Sequence, residues 1–129
     1  MKIKYIQGRK WKMNLRSDER WHLIRNLVTQ LVTHEQKKTT SDKAKHMTPT
    51  VERLIAMGKK VVFENKPHLV KDINRTLTTE QARKKFYEEL IPRLKEVQGQ
   101  QTRRVYLKNR KGDNAPVSYI EIKQKYAYQ

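Results

Sequence analysis

Cysteine is absent from all 129 residues, which removes disulfides, thiolate catalysis and zinc ribbons in one step and suits a reducing compartment. Acids are scarce: 13 Asp+Glu stand against 30 Lys+Arg, for a formal charge of +17. Long apolar runs are missing too. No segment approaches the ~18 apolar residues of a spanning helix, no apolar core follows the basic start as a secretory signal requires, and no helix sets all its lysines opposite a Trp/Phe/Leu face. Membrane binding is therefore not expected. The four glycines are scattered, so there is no phosphate loop ending in Gly-Lys-Ser/Thr. His34-Glu35 does not open a zinc-protease motif, because Lys38 stands where the second histidine belongs, and none of His22, His34, His46 or His68 has a histidine four residues away. Asp113-Asn114 in a Gly-containing reversal reads as a turn former rather than a cation site. No catalytic residue, metal site or cofactor is expected.

What the chain has is cation. Self-repulsion on this scale calls for a polyanion, which accepts Lys and Arg at its phosphates while its condensed counterions escape into solution. The cations are also distributed in a telling way. Residues 1–16 carry Lys2, Lys4, Arg9, Lys10, Lys12 and Arg16 with no acid, interleaved with Tyr5 and Trp11. They follow neither a helical nor a strand period for long, which gives a basic arm that orders on its partner, with aromatics able to stack on bases. Further clusters are Lys37-Lys38 with Lys43 and Lys45, Arg83-Lys84-Lys85, and Arg103, Arg104, Lys108, Arg110 and Lys111. Each alone is an ordinary solvated face; together with the arm they exceed what solubility needs and point to several separate phosphate contacts.

Between these clusters the apolar pattern is regular. Ser17-Asp18-Glu19 reads as a helix start, and Trp21, Ile24, Leu27, Val28, Leu31 and Val32 share one face of a helix over about 17–33. Residues 34–40 are polar and β-tolerant, giving a short strand or extended link, after which Thr40 or Ser41 can cap a second helix reaching about residue 63. Pro49 inside it predicts a kink near 45–49, since an interior proline costs ~3 kcal/mol. Pro67 opens a short helix carrying Leu69, Val70 and Ile73. Thr78-Thr79-Glu80-Gln81 resembles a capping box, with Thr78 and Gln81 as its side chains, for a helix ending near Ile91 before Pro92. Beyond Gly99 the period drops to two: Arg104–Lys108 and Val117–Ile122 alternate around a Gly-Asp-Asn and Ala-Pro reversal, the pattern of an antiparallel hairpin. The expected fold is α+β: one two-layer domain over 17–124, with three to four helices on a small, mostly antiparallel sheet ending in a C-terminal hairpin. The basic arm of 1–16 precedes it, and a short tail of 125–129 follows.

Several stretches carry a resemblance: Leu31-Val32-Thr33-His34-Glu35 through Thr39-Thr40, Lys43-Ala44-Lys45, and Gly112-Asp113-Asn114-Ala115-Pro116 with Tyr119-Ile120-Glu121. Gly8-Arg9-Lys10, Arg25-Asn26-Leu27, Glu89-Leu90 with Pro92-Arg93, and Thr102-Arg103 extend it in order over nearly the whole chain. The set resembles the bacterial-type large-subunit ribosomal protein seventeen family. That resemblance implies a structural role on large-subunit ribosomal RNA near the exit of the nascent-peptide tunnel, with neighbouring ribosomal proteins as further partners, no homo-oligomer and no catalysis. It also puts Gly8, Arg9, Lys10, Arg25, Asn26, His34, Glu35, Thr39, Thr40, Lys43 and Lys45 at or beside the RNA-facing part.

The chain departs from the family's pattern in several places, and the usual small-polar stretch before the first helix is replaced by Trp11 to Arg20. The chain is about two residues longer between Gly8-Arg9-Lys10 and Arg25-Asn26-Leu27, its approach to Thr102 is reduced to Gly99-Gln100-Gln101, and Pro49 falls in an ordinarily uninterrupted helix. Such drift leans toward a mitochondrial ribosome, with the bacterial cytoplasm as the alternative setting. The RNA-binding set expected is then Lys2, Lys4, Arg9, Lys10, Trp11, Lys12, Arg16, Arg25, Asn26, His34, Lys37, Lys38, Thr39, Thr40, Lys43, Lys45, Arg83, Lys84, Arg103, Arg104, Arg110 and Lys111. Two rival readings stand beside it: a general nucleic-acid architectural protein, and a small RNA-processing enzyme relying on His34, Glu35 and Asp113.

Overall fold

The computed structural model describes residues 16–97 and 99–123. The arm residues Lys2, Lys4, Arg9, Lys10, Trp11 and Lys12, and the tail of 125–129, lie outside them. Within them the chain runs through helix α1 (Ser17–His34), strand β1 (Gln36–Thr40) and helix α2 (Ser41–Phe63). A 3-10 turn (Pro67–Leu69) leads into α3 (Val70–Thr76), and α4 (Glu80–Lys85) passes through a π turn (Phe86–Leu90) into α5 (Ile91–Leu94). Strands β2 (Thr102–Asn109) and β3 (Pro116–Ile122) close the fold. It is the expected α+β arrangement of helices on a small antiparallel sheet.

The sheet order is β1-β3-β2, so β3 is the central strand and pairs antiparallel with both neighbours. Its Ile120 and Ile122 are buried in a core shared with Leu31 of α1, Met47 and Leu54 of α2, and Phe86 and Leu90 of the π turn. β2 pairs with β3 through a bulge between Tyr106 and Lys108. Past Thr102 this strand is uncovered on both faces, with Val105, Tyr106 and Leu107 exposed by 37%, 59% and 44%.

Helix ends depart from the expectations in instructive ways. Ser17 is the first residue of α1 rather than its cap, and its hydroxyl receives Arg20 Nη2 at 2.9 Å. Thr40 occupies the N-cap position of α2 without a side-chain capping bond, and Ser41 Oγ is drawn 2.6 Å from Ser118 Oγ across to the central strand. Thr79, not Thr78, caps α4, accepting from the Ala82 amide at 3.2 Å. Thr78 is diverted because its amide and hydroxyl both donate to buried Thr29 Oγ1, at 3.2 and 3.3 Å. α2 continues through Pro49 to Phe63. The last helical stretch does not stop at Ile91 either. Ile91 donates its amide to Phe86 O, one residue further back than in an α-helix, and the chain stays helical past Pro92 to Leu94. A proline ring clashes with the carbonyl four residues earlier in a regular helix, and the wider π turn just before it relieves that crowding.

Candidate nucleic-acid interface

At the end of the sheet where β1 hands over to α2, two basic clefts form. Lys38, Thr39 and Thr40 of β1, Lys43 of the first turn of α2, Lys108 of β2, and Arg110 and Lys111 of the hairpin turn surround the first, a cleft of about 530 Å³ floored by Val117. These residues come from three segments that meet only because β1 and β2 flank the same strand. Thr40, Val117 and Lys108 stand in register across it. Among the described residues no carboxylate lines this cleft. Asp42, next to Lys43, lines the second cleft instead, and Asp113 in the hairpin turn is taken by Arg110, whose Nε donates to Oδ1 at 3.1 Å while Nη2 pairs with Oδ2. With the Ala115 amide also donating to Oδ1 at 3.2 Å, the Asp113 carboxyl is held down at about 2. The turn is shaped by Gly112 and Asn114, at φ of 101° and 57°, a left-handed backbone that glycine and asparagine adopt at little cost. Asp113 therefore acts as the turn former expected.

The second cleft, about 600 Å³, lies between the first turns of α2 and the inner side of β2. Lys45, Arg103, Arg104 and Lys123 supply its charge, Tyr106 an aromatic ring, and Ser41, Thr102 and Ser118 its hydroxyls; Asp42 is its one acid. Of the cations expected from sequence, Lys38, Lys43, Arg110 and Lys111 meet in the first cleft, and Lys45, Arg103 and Arg104 in the second. Lys123 was overlooked because it follows the last strand singly, and Tyr106 because its strand neighbours drew attention as charges.

Other expected residues stand apart from the clefts. Arg16 pairs with Asp18 and Glu19 at 3.8 and 3.2 Å. Asn26 and His34 are exposed on α1, while the half-buried Arg25 has a Nε without a hydrogen-bond partner. Lys37 is half-buried opposite Ile120, and Lys84 is exposed on α4. Arg83 points its guanidinium at the carbonyls of Leu77 and Asn74, both at 2.9 Å, closing the end of α3.

Glu35, one of the three residues an RNA-cleaving enzyme would need, is engaged in the fold. Its backbone is left-handed at φ 66°, ending α1, and its carbonyl receives the Ile122 amide at 3.0 Å. Its carboxylate pairs with Arg93 and, at 3.3 Å, with Lys85. Burial alone would raise this carboxyl; the hydrogen bond and charge of Arg93, with Lys85, outweigh that and leave it below the ordinary value of 4.5. Among the described residues no group of His, Asp and Glu is placed to hold a metal ion.

Among the described residues the clefts gather cations and hydroxyls on a small α+β body, the arrangement of a basic protein that binds a polyanion. The comparisons with known proteins make this specific. The family model described as Ribosomal protein L17 matches residues 23–123, and the chain belongs to that family. It is 35% identical over 112 residues to Large ribosomal subunit protein bL17 of an Exiguobacterium species, spanning 86% of this chain and 96% of that protein. Relatives of the same name from Shouchella clausii and Caldanaerobacter subterraneus are 32% and 33% identical, with the same coverage. The family is one of structural ribosomal components, so the chain is a ribosomal protein and not an enzyme.

Proposed function

We propose that this protein is a structural constituent of the large ribosomal subunit that clamps ribosomal RNA near the peptide exit region. The observation that carries this is the cleft in which Lys38, Lys43, Lys108, Arg110 and Lys111 converge without an acid on its lining. Five cations gathered from two stretches of chain, the β1–α2 junction and the end of β2 with its hairpin turn, raise the local potential above what either gives alone, and bound phosphates relieve it while their counterions are released. Lys45, Arg103 and Arg104 in the second cleft hold another stretch of backbone, and the arm from Lys2 to Arg16, with Trp11, extends the contact. Exposed Asn26, His34 and Lys84 and half-buried Arg25 and Lys37, outside the clefts, make further contacts. Arg83 acts indirectly, by bracing the end of α3. The partners are RNA and adjoining ribosomal proteins, engaged as a single copy.

The measurement is binding of the full chain to large-subunit ribosomal RNA across a salt series. The slope of log K against log salt is expected at ~0.7–0.9 per phosphate contacted, over several phosphates. A flat response, or equal affinity for duplex DNA, overturns the proposal. In extracts the protein is expected to co-sediment with large subunits, and its absence from them counts against the proposal. The relatives compared are bacterial, which supports a bacterial-type ribosome as the setting. A mitochondrial version of it rests on the sequence departures, Pro49 among them. A reporter fused to residues 1–30 separates the two settings, since import into mitochondria supports the second and a purely cytosolic reporter removes it.

A further inference from the structure

Tyr119 sits at the middle of the sheet face turned away from the helices. Ile120 and Ile122 of the same strand are buried against the helices, and strand alternation sends Tyr119 to the opposite side. The register puts Lys38 of β1 directly across from it on one side and Val105 of β2 on the other, and cross-strand partners share a face with Cβ atoms about 5 Å apart. Around the half-buried ring, Lys38, Arg103, Val105 and Lys108 are all exposed. Among the described residues of this strand face the single acid is Glu121, and Arg103 holds it at 2.9 Å. One strand repeat of about 7 Å in the other direction lies the row Thr40, Val117 and Lys108, the floor and rim of the first cationic cleft.

A half-buried aromatic on the outer sheet face, beside the exposed Lys38, Val105 and Lys108, has the chemistry of a base-stacking platform. A duplex presents its backbone and gives a ring nothing to stack on, whereas a looped or bulged strand splays its bases out. We infer that the outer sheet face takes an unpaired base of the ribosomal RNA onto the Tyr119 ring, with Lys38 and Lys108 on the phosphates flanking that nucleotide. Val105 covers the edge of the stacked base. The inference rests on the proposal that the chain binds ribosomal RNA, and it adds that this face reads single-stranded RNA rather than a helix.

The test uses the full chain and a large-subunit ribosomal RNA transcript, comparing wild type with Tyr119→Phe and Tyr119→Leu. Stacking survives in the phenylalanine variant, which stays within about twofold of wild type, while the leucine variant weakens by on the order of tenfold with an unchanged salt slope. Wild-type binding with an equally tight leucine variant overturns the platform and leaves the RNA-binding proposal standing. Failure of the wild type to bind overturns both. Should Tyr119→Leu unfold, photo-cross-linking of wild type to 4-thiouridine RNA decides: a cross-link from the Tyr119 peptide to an unpaired nucleotide supports the platform, and its absence, or a paired nucleotide, overturns it.

Discussion

The ring of Phe86 occupies the space where a side chain at residue 58 would begin. A Cβ built on Gly58 lies 2.6 Å from two atoms of that ring and from Ile91 Cδ1, and both neighbours are fully buried. Glycine in mid-helix is penalised, yet here it lets α2 lie against the π turn and α5. Gly58→Ala is expected to lower stability by about 1–3 kcal/mol through overpacking, although alanine favours a helix by ~1 kcal/mol over glycine. Urea unfolding checks this. Equal or greater stability in the variant contradicts the close approach.

Gly58 also marks the boundary of what the sequence alone makes legible. Its place on the apolar stripe of α2 follows from spacing; that a phenylalanine 28 positions later (86 − 58) fills its missing side chain does not. The long helices and the final hairpin declare themselves because their periods are local. β1 was readable only as a strand or link, because its pairing with β3 joins residues some 80 positions apart, such as Lys38 and Tyr119. The π turn is invisible for a similar reason: Pro92 signals a stop, and only the packing of Phe86 and Leu90 shows the helix being widened and carried through. The clefts were half legible. Charge clusters beside β1 and in the hairpin stand out in sequence, but their convergence depends on the strand order. Thr78 misled because two adjacent threonines fit one capping pattern, and a buried hydroxyl on Thr29 chose between them.

Glu35 ties the end of α1 to Lys85 and Arg93, and this gives stability a dependence on acid. The folded-state carboxyl lies below its unfolded value near 4.5, so its contribution is complete above about that pH and disappears as pH falls through the lowered folded value. Glu35→Gln is expected to lose about 1 kcal/mol at pH 7, a modest figure because both partners are partly solvated. The gap between variant and wild type should narrow progressively in denaturation series as the pH is taken below about 4.5. A gap that stays constant down to pH 3 contradicts the ion-pair account.

Glu52 fastens the start of β2 to α2. Its carboxylate receives the amides of Gln101 and Thr102, each at 2.9 Å, and the Thr102 hydroxyl at 2.8 Å. Gln101 and Thr102 are buried, so Glu52→Ala strands donors away from water and is expected to cost about 1–3 kcal/mol. Glu52→Gln keeps one acceptor oxygen and loses less. Amide exchange at Thr102 reads the same contact: exchange in the alanine variant speeds up more at Thr102 than at the core residue Leu54, and equal acceleration at both or no change contradicts it.

The cationic cleft makes a quantitative claim about individual lysines. Lys43 and Lys111 line it from opposite walls, one on the first turn of α2 and the other on the hairpin turn. If each meets a phosphate, Lys43→Ala and Lys111→Ala each lower the salt slope of ribosomal RNA binding by ~0.7–0.9, and the double variant lowers it by the sum, since separate phosphates release separate counterions. Lys60 provides the control. It is equally a surface lysine of α2, exposed near the other end of the helix and outside both clefts. Net charge alone would make Lys60→Ala as damaging as Lys43→Ala, whereas a localised site leaves its slope at the wild-type value. Titrations of the four variants and wild type over 50–200 mM salt separate these cases. Equal slopes for Lys43→Ala and Lys60→Ala would show that the chain binds through diffuse charge and that the cleft has no special part in it.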